Sequence, residues 1–103
     1  MKSIDVLSKK IEKEISSAYE YIKCAIDMKA SDPVTAEVYY KIAVNKMNDM
    51  TTLHGRVTTI IDEYRKDHGD PPEAMRILYD ILHKKHIENA ASVKGMMELY
   101  KEM

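Results

Sequence analysis

Phenylalanine and tryptophan are absent from this 103-residue chain, and seven tyrosines supply every aromatic ring. A core without those two rings must be filled by aliphatic side chains, with eight methionines to take up irregular gaps or to face a partner. Cysteine occurs once, at Cys24, which excludes an internal disulfide and any cysteine-based zinc motif, and fits a reduced compartment. No stretch approaches the roughly 18 apolar residues that cross a membrane. Lys2, Asp5, Lys9 and Lys10 interrupt the first turns, so no apolar leader is expected and a cytoplasmic setting is the expectation. Neither sign of charge prevails: sixteen basic residues stand against seventeen acidic ones, and they alternate. Without a basic block to neutralise phosphates, nucleic acid is not an expected partner.

What remains is a chain of suitable length for one domain, residues 1–103, with 45% hydrophobic residues to form one core. Its few breakers fall in two places. Around Lys29-Ala30-Ser31-Asp32-Pro33, Ser31 or Asp32 can cap a helix that has Pro33 in its first turn. At His68-Gly69-Asp70-Pro71-Pro72-Glu73, Gly69 suits a helix end. Asp70 suits the next N-cap there, with Pro71 first in the helix and Glu73 closing a capping box.

Between the breakers, apolar residues recur every three or four positions. Ile4, Leu7, Ile11, Ile15, Ala18 and Ile22 carry the pattern first, Ala36, Tyr40, Ala43, Met47, Met50 and Val57 next, then Met75, Tyr79, Leu82, Ala90, Val93 and Met97. Sustained spacing of this kind means amphipathic helix. The spacing predicts an all-α fold, an antiparallel bundle of three long helices near 3–30, 33–68 and 71–103. The second helix carries an extra flanking stripe, Val34, Val38, Ile42, Leu53 and Ile60, and is expected to be the most buried. So slim a bundle is expected to self-associate, completing its burial in a homo-oligomer, with Met96, Met97 and Met103 available to the contact.

The chemistry lies in polar residues that interrupt the stripes. His54 falls between Met50 and Val57, and His86 between Leu82 and Ala90, so both should point inward. Asp80, His83 and His86 form a ladder at three-residue spacing, where a carboxylate and an imidazole can share a metal ion. Glu14 lies inward on a seam through Ile11, Ala18 and Tyr21, or on the flank of a seam through Ile11, Ile15 and Ile22; the spacing leaves both open. Counted from the second hinge, His54 and His86 are level, and counted from the first, Glu14 and His54 are roughly level. Glu14, His54, His83 and His86 are therefore the candidate metal ligands, for iron, manganese or zinc. Each has a plainer alternative. A histidine on an apolar stripe is commonly a hydrogen-bonded core residue, His83 can pair with Asp80, and Glu14 with Lys10 four residues earlier. His68 suits the helix dipole and is assigned no chemistry.

The segment from Glu14 to Met28, with Tyr21 seven residues after Glu14, resembles the opening helix of the ferritin-like superfamily. His54-Gly55 resembles the end of that family's Glu-x-x-His motif, with Thr51 where the family has its bridging Glu. The resemblance covers about sixty residues, the first two helices. It implies a helical bundle, a degenerate or truncated member, with Glu14 and His54 as metal ligands and Tyr21 as a hydrogen-bond partner behind them. With that carboxylate missing, a two-metal ferroxidase centre is not implied.

Two functions are thus expected from the sequence. One is a small bundle that binds a transition metal through inward Glu and His. The other is a non-catalytic structural or adaptor bundle, without a cofactor, that binds a protein partner or itself through a Met- and Tyr-rich face. No nucleophile–base pair, phosphate loop or nucleotide motif supports a hydrolase, kinase or dehydrogenase.

Overall fold

A computed structural model describes residues 2–103 as three α-helices with no strand among them: α1 (Lys2–Met28), α2 (Pro33–His68) and α3 (Glu73–Glu102). They form a rod of 56 × 18 × 17 Å, a cross-section that suits three helices side by side.

The first hinge is built as its residues suggest. Asp32 caps α2, its carboxylate accepting from Thr35 N at 3.1 Å and from Thr35 Oγ1 at 2.6 Å. Those bonds stabilise the charged form and hold the Asp32 carboxyl below its ordinary range. Gly69 ends α2 at φ 76°, a conformation that favours glycine, and its N–H donates to Arg65 O. The expected start of α3 is corrected. The helix begins at Glu73, not at residue 71, and Asp70 does not cap it. Pro72 follows Pro71, and a residue before proline is driven out of the helical region. Pro72 itself is extended (φ −51°, ψ 144°) with no side-chain cap, and Asp70 instead stands 4.0 Å from Arg65.

Cross-helix pairs fix the directions. Glu14 meets Lys46 and Tyr21 meets Tyr39, so α1 and α2 are antiparallel. Glu37 meets Tyr100 and His54 meets His83, so α2 and α3 are antiparallel too. Buried positions on α1 run Ile4, Ser8, Ile11, Ile15, Ala18, Ile22, Ala25, a strict alternation of four and three that keeps one seam inward. Ser8 holds the place expected for Leu7, which lies half-buried.

The two seams of α2 differ in width for a reason visible in the residues. Toward α1 the contact is made by small side chains, Ala36 and Ala43 of α2 and Ala18 and Ala25 of α1, all fully buried, and the backbones run close. Against α3 the spacers are large. Tyr40 stacks on Tyr100 with ring centroids 4.6 Å apart, and His54 on His83 at 4.9 Å. α3 therefore packs mainly along α1 and meets α2 through long side chains. This overturns the expectation that α2 is the most buried helix. α1 lies between the other two, while Val34 and Val38 of the extra stripe are 77% and 53% exposed. At the far end α3 is latched: Lys29 donates to Tyr100 O and lies 4.1 Å over its ring, and Tyr100 Oη donates to Glu37 at 2.9 Å.

Candidate metal centre

The wide seam between α2 and α3 opens, toward the second hinge, into a cleft of about 230 Å³. Ile4, Ile11, Val57, Ile61 and Leu82 give it apolar walls, and His54, His83 and His86 all line it. His54 Nε2 and His83 Nδ1 are 3.0 Å apart, each from a different helix. One of these nitrogens must carry a proton and the other a lone pair for that contact to be a hydrogen bond. Partial burial holds the His54 imidazole below its usual pKa, and the neighbouring His83 and His86 add to the effect. His54 is thereby kept in the neutral form that binds a metal ion.

His86 is 5% exposed, and its Nε2 is buried with no hydrogen-bond partner. The nearest acidic atom is Glu12 Oε1 at 3.6 Å, too long for a hydrogen bond though short enough for an ion pair with a protonated ring. Lys85 shares the same carboxylate at 3.8 Å. Sequence reasoning did not find Glu12. The signal was present in Ser8, Glu12 and Ser16, a polar row at four-residue spacing on the flank of α1. That flank faces α3, with Glu12 and Ser16 beside Lys85, Asn89 and Ser92.

Of the four residues expected together, three histidines share the cleft and Glu14 does not. Glu14 Oε2 stands 3.6 Å from Lys46 Nζ, not beside Lys10. Lys46 precedes His54 on α2 by eight residues, about 12 Å of helix. The expected level match of Glu14 with His54 fails because the turn centres on residue 30, midway between Glu14 and Lys46 and between Tyr21 and Tyr39, and not on Pro33. Asp80, the foot of the expected ladder, lines the cleft but pairs with Arg76 at 3.5 Å. Tyr21 packs against the Tyr39 ring at 6.2 Å. The donors thus stand as two pairs, His54–His83 and His86–Glu12. Among the described residues no three His, Cys, Asp or Glu side chains are grouped as a ready-made ion site.

Two ligand nitrogens on a tetrahedral zinc ion stand roughly 3.3–3.4 Å apart, given bonds of 2.0–2.1 Å. The 3.0 Å pair needs to open only slightly to match. Comparison of the chain with protein-family models, curated proteins and solved structures returns no match.

Proposed function

We propose that this bundle binds one divalent transition-metal ion through His54 and His83, with His86 as the third ligand and Glu12 as the carboxylate beside it. The observation that carries the reading is the 3.0 Å approach of two imidazole nitrogens from separate helices. Beside it lies a third imidazole, buried and without a hydrogen-bond partner. Imidazole-rich sites suit zinc or ferrous iron better than manganese, and the shortage of carboxylates argues against a two-metal centre. Zinc is the first choice. A ferritin-like relationship remains part of the proposal through Glu14, Tyr21 and His54, with Glu14 no longer a ligand in it.

Ligation by all three histidines requires their side chains to rearrange. His83 is exposed and Glu12 half-buried, so both side chains have room to turn toward His86. Metal uptake would then replace a shared proton between His54 and His83 and satisfy the unpartnered nitrogen of His86.

The test is zinc titration, by calorimetry and elemental analysis, of protein purified without a histidine tag. One ion per chain is expected, with His54→Ala and His83→Ala each weakening binding by tenfold or more, about the loss of 1.4 kcal/mol. Zinc uptake unchanged in both variants, or none in the parent, overturns the proposal. The second of those results favours the adaptor reading, in which the histidines only pack.

A further inference from the structure

The outer face of α3 carries a second stripe that nothing in the chain covers. Leu78, Ile81, Lys85, Glu88, Ser92, Gly95 and Leu99 follow one another at alternate intervals of three and four residues, and all are exposed. Leu78, Ile81 and Leu99 leave 50%, 60% and 50% of their surface open. At 100° per residue this stripe lies about 120° around the helix from the buried seam of His86, Val93 and Tyr100. Alternate steps of three and four on one face are the spacing of a helix that pairs with another, here with apolar residues toward the two ends and charged or small ones between.

From this face we infer that the occupant is a second copy of the chain, its α3 antiparallel to the first across a two-fold axis between residues 86 and 87. Charge complementarity selects that register. It sets Lys85 against Glu88 of the second copy, and by symmetry Glu88 against the other Lys85. Leu78 falls on Gly95 and Ala74 on Leu99. Polar residues at otherwise apolar seam positions are a known means of fixing register and direction. Gly95 adds a separate observation. Glycine inside an exposed helix is disfavoured relative to alanine, yet a Cβ there would meet nothing within 4 Å in the chain. The open space has a use if Leu78 of the second copy fills it. Lys85 also stands 3.8 Å from Glu12 in its own chain, but 59% of its side chain is open to solvent and remains free to reach outward. The two-fold contact is isologous, so it closes at a dimer.

Sedimentation equilibrium on the full chain tests this. The expected mass at about 100 μM is twice the 11.9 kDa of one chain. Lys85→Glu or Glu88→Lys alone puts like charges together twice and should weaken the dimer by at least about tenfold. The double variant K85E/E88K recreates both pairs and should restore the dimer to near the parent value. Gly95→Leu should abolish the dimer while circular dichroism shows the helical monomer intact, since no atom of the chain stands in its way. A parent chain that stays monomeric, single reversals without effect, or a double variant no better than the singles overturns the proposal. A monomer leaves the stripe to a helix of another protein.

Discussion

Replacing His86 with leucine sets the stability of the fold against its proposed function. His86 is 5% exposed, and its Nε2 has no hydrogen-bond partner. Leaving a polar group buried and unsatisfied costs about 1–3 kcal/mol, which leucine at this position would recover. The substitution also removes the contact with Glu12 at 3.6 Å, and that carboxylate keeps 39% of its side chain exposed. A partly solvated pair of this kind contributes only about 0–1 kcal/mol. With a chelator present, His86→Leu should therefore stabilise the chain by about 1–2 kcal/mol, the difference of the two effects. For a domain of this size that is a rise in Tm of roughly 4–16 °C. The assay is thermal and urea unfolding followed by circular dichroism at 222 nm, parent and variant side by side. Zinc titration of the same two proteins, freed of chelator, should show weakened uptake in the more stable one. A variant that loses more than about 1 kcal/mol in chelator would refute the reasoning. It would mean that the imidazole is satisfied in the folded chain and that the orphaned nitrogen is no sign of a missing ligand.

Two further outcomes follow from the same geometry. Burial, reinforced by His83 and His86, depresses the pKa of His54 in the folded chain, so the unfolded chain takes up that proton first as the pH falls. Without metal, the urea midpoint should show no contribution from His54 well above pH 6.5 and should fall as the pH drops below it; His54→Gln should flatten that part of the profile, and an unchanged profile would contradict the assignment. At the narrow seam, Ala43 is fully buried on α2, and Ala43→Leu should cost about 1–3 kcal/mol by forcing α1 and α2 apart, read as a lowered urea midpoint. A tolerated leucine there would mean that the alanines do not set the helix spacing.

Helix number and approximate span were legible because each rests on local chemistry. Asp32-Pro33 and Gly69 mark ends through their own backbone preferences, and the repeat of apolar residues marks what lies between. What was not legible rests on relations between helices. Two consecutive prolines read as a helix start because Pro71 alone suits a first turn, while Pro72 forbids the helical conformation one residue earlier. The extra stripe of Val34 and Val38 read as deeper burial, but a broad apolar face is buried only if a neighbour arrives to cover it. Glu14 and Glu12 differ by two positions, about 200° around a helix. Glu14 interrupts the apolar stripe and attracts notice, whereas Glu12 sits on a polar flank where a charge looks ordinary. Only the parallel placement of α1 and α3 turns that flank toward His86. The pairing of His54 with His83, rather than with His86, likewise needed the cross-helix register.

The two seams explain why polar groups collect where they do. Four buried alanines line the close contact of α1 with α2 toward the first hinge. The α2–α3 seam, held open by stacked tyrosines at one end and stacked histidines further along, leaves space beside the rings. That geometry also bears on the kind of metal site proposed. A structural zinc site is closed by four protein ligands, whereas a reactive one keeps a position for water or substrate. Here three imidazoles share an open cleft of about 230 Å³ with aliphatic walls. Zinc at a hundred times its dissociation constant would add about 2.7 kcal/mol. That is enough to register in unfolding. An ion held here by His54, His83 and His86, with Glu12 beside it, would lie in a cleft walled by Ile4, Ile11 and Ile61. The α3 stripe lies on a different face from the cleft, so pairing of two copies would leave the cleft accessible.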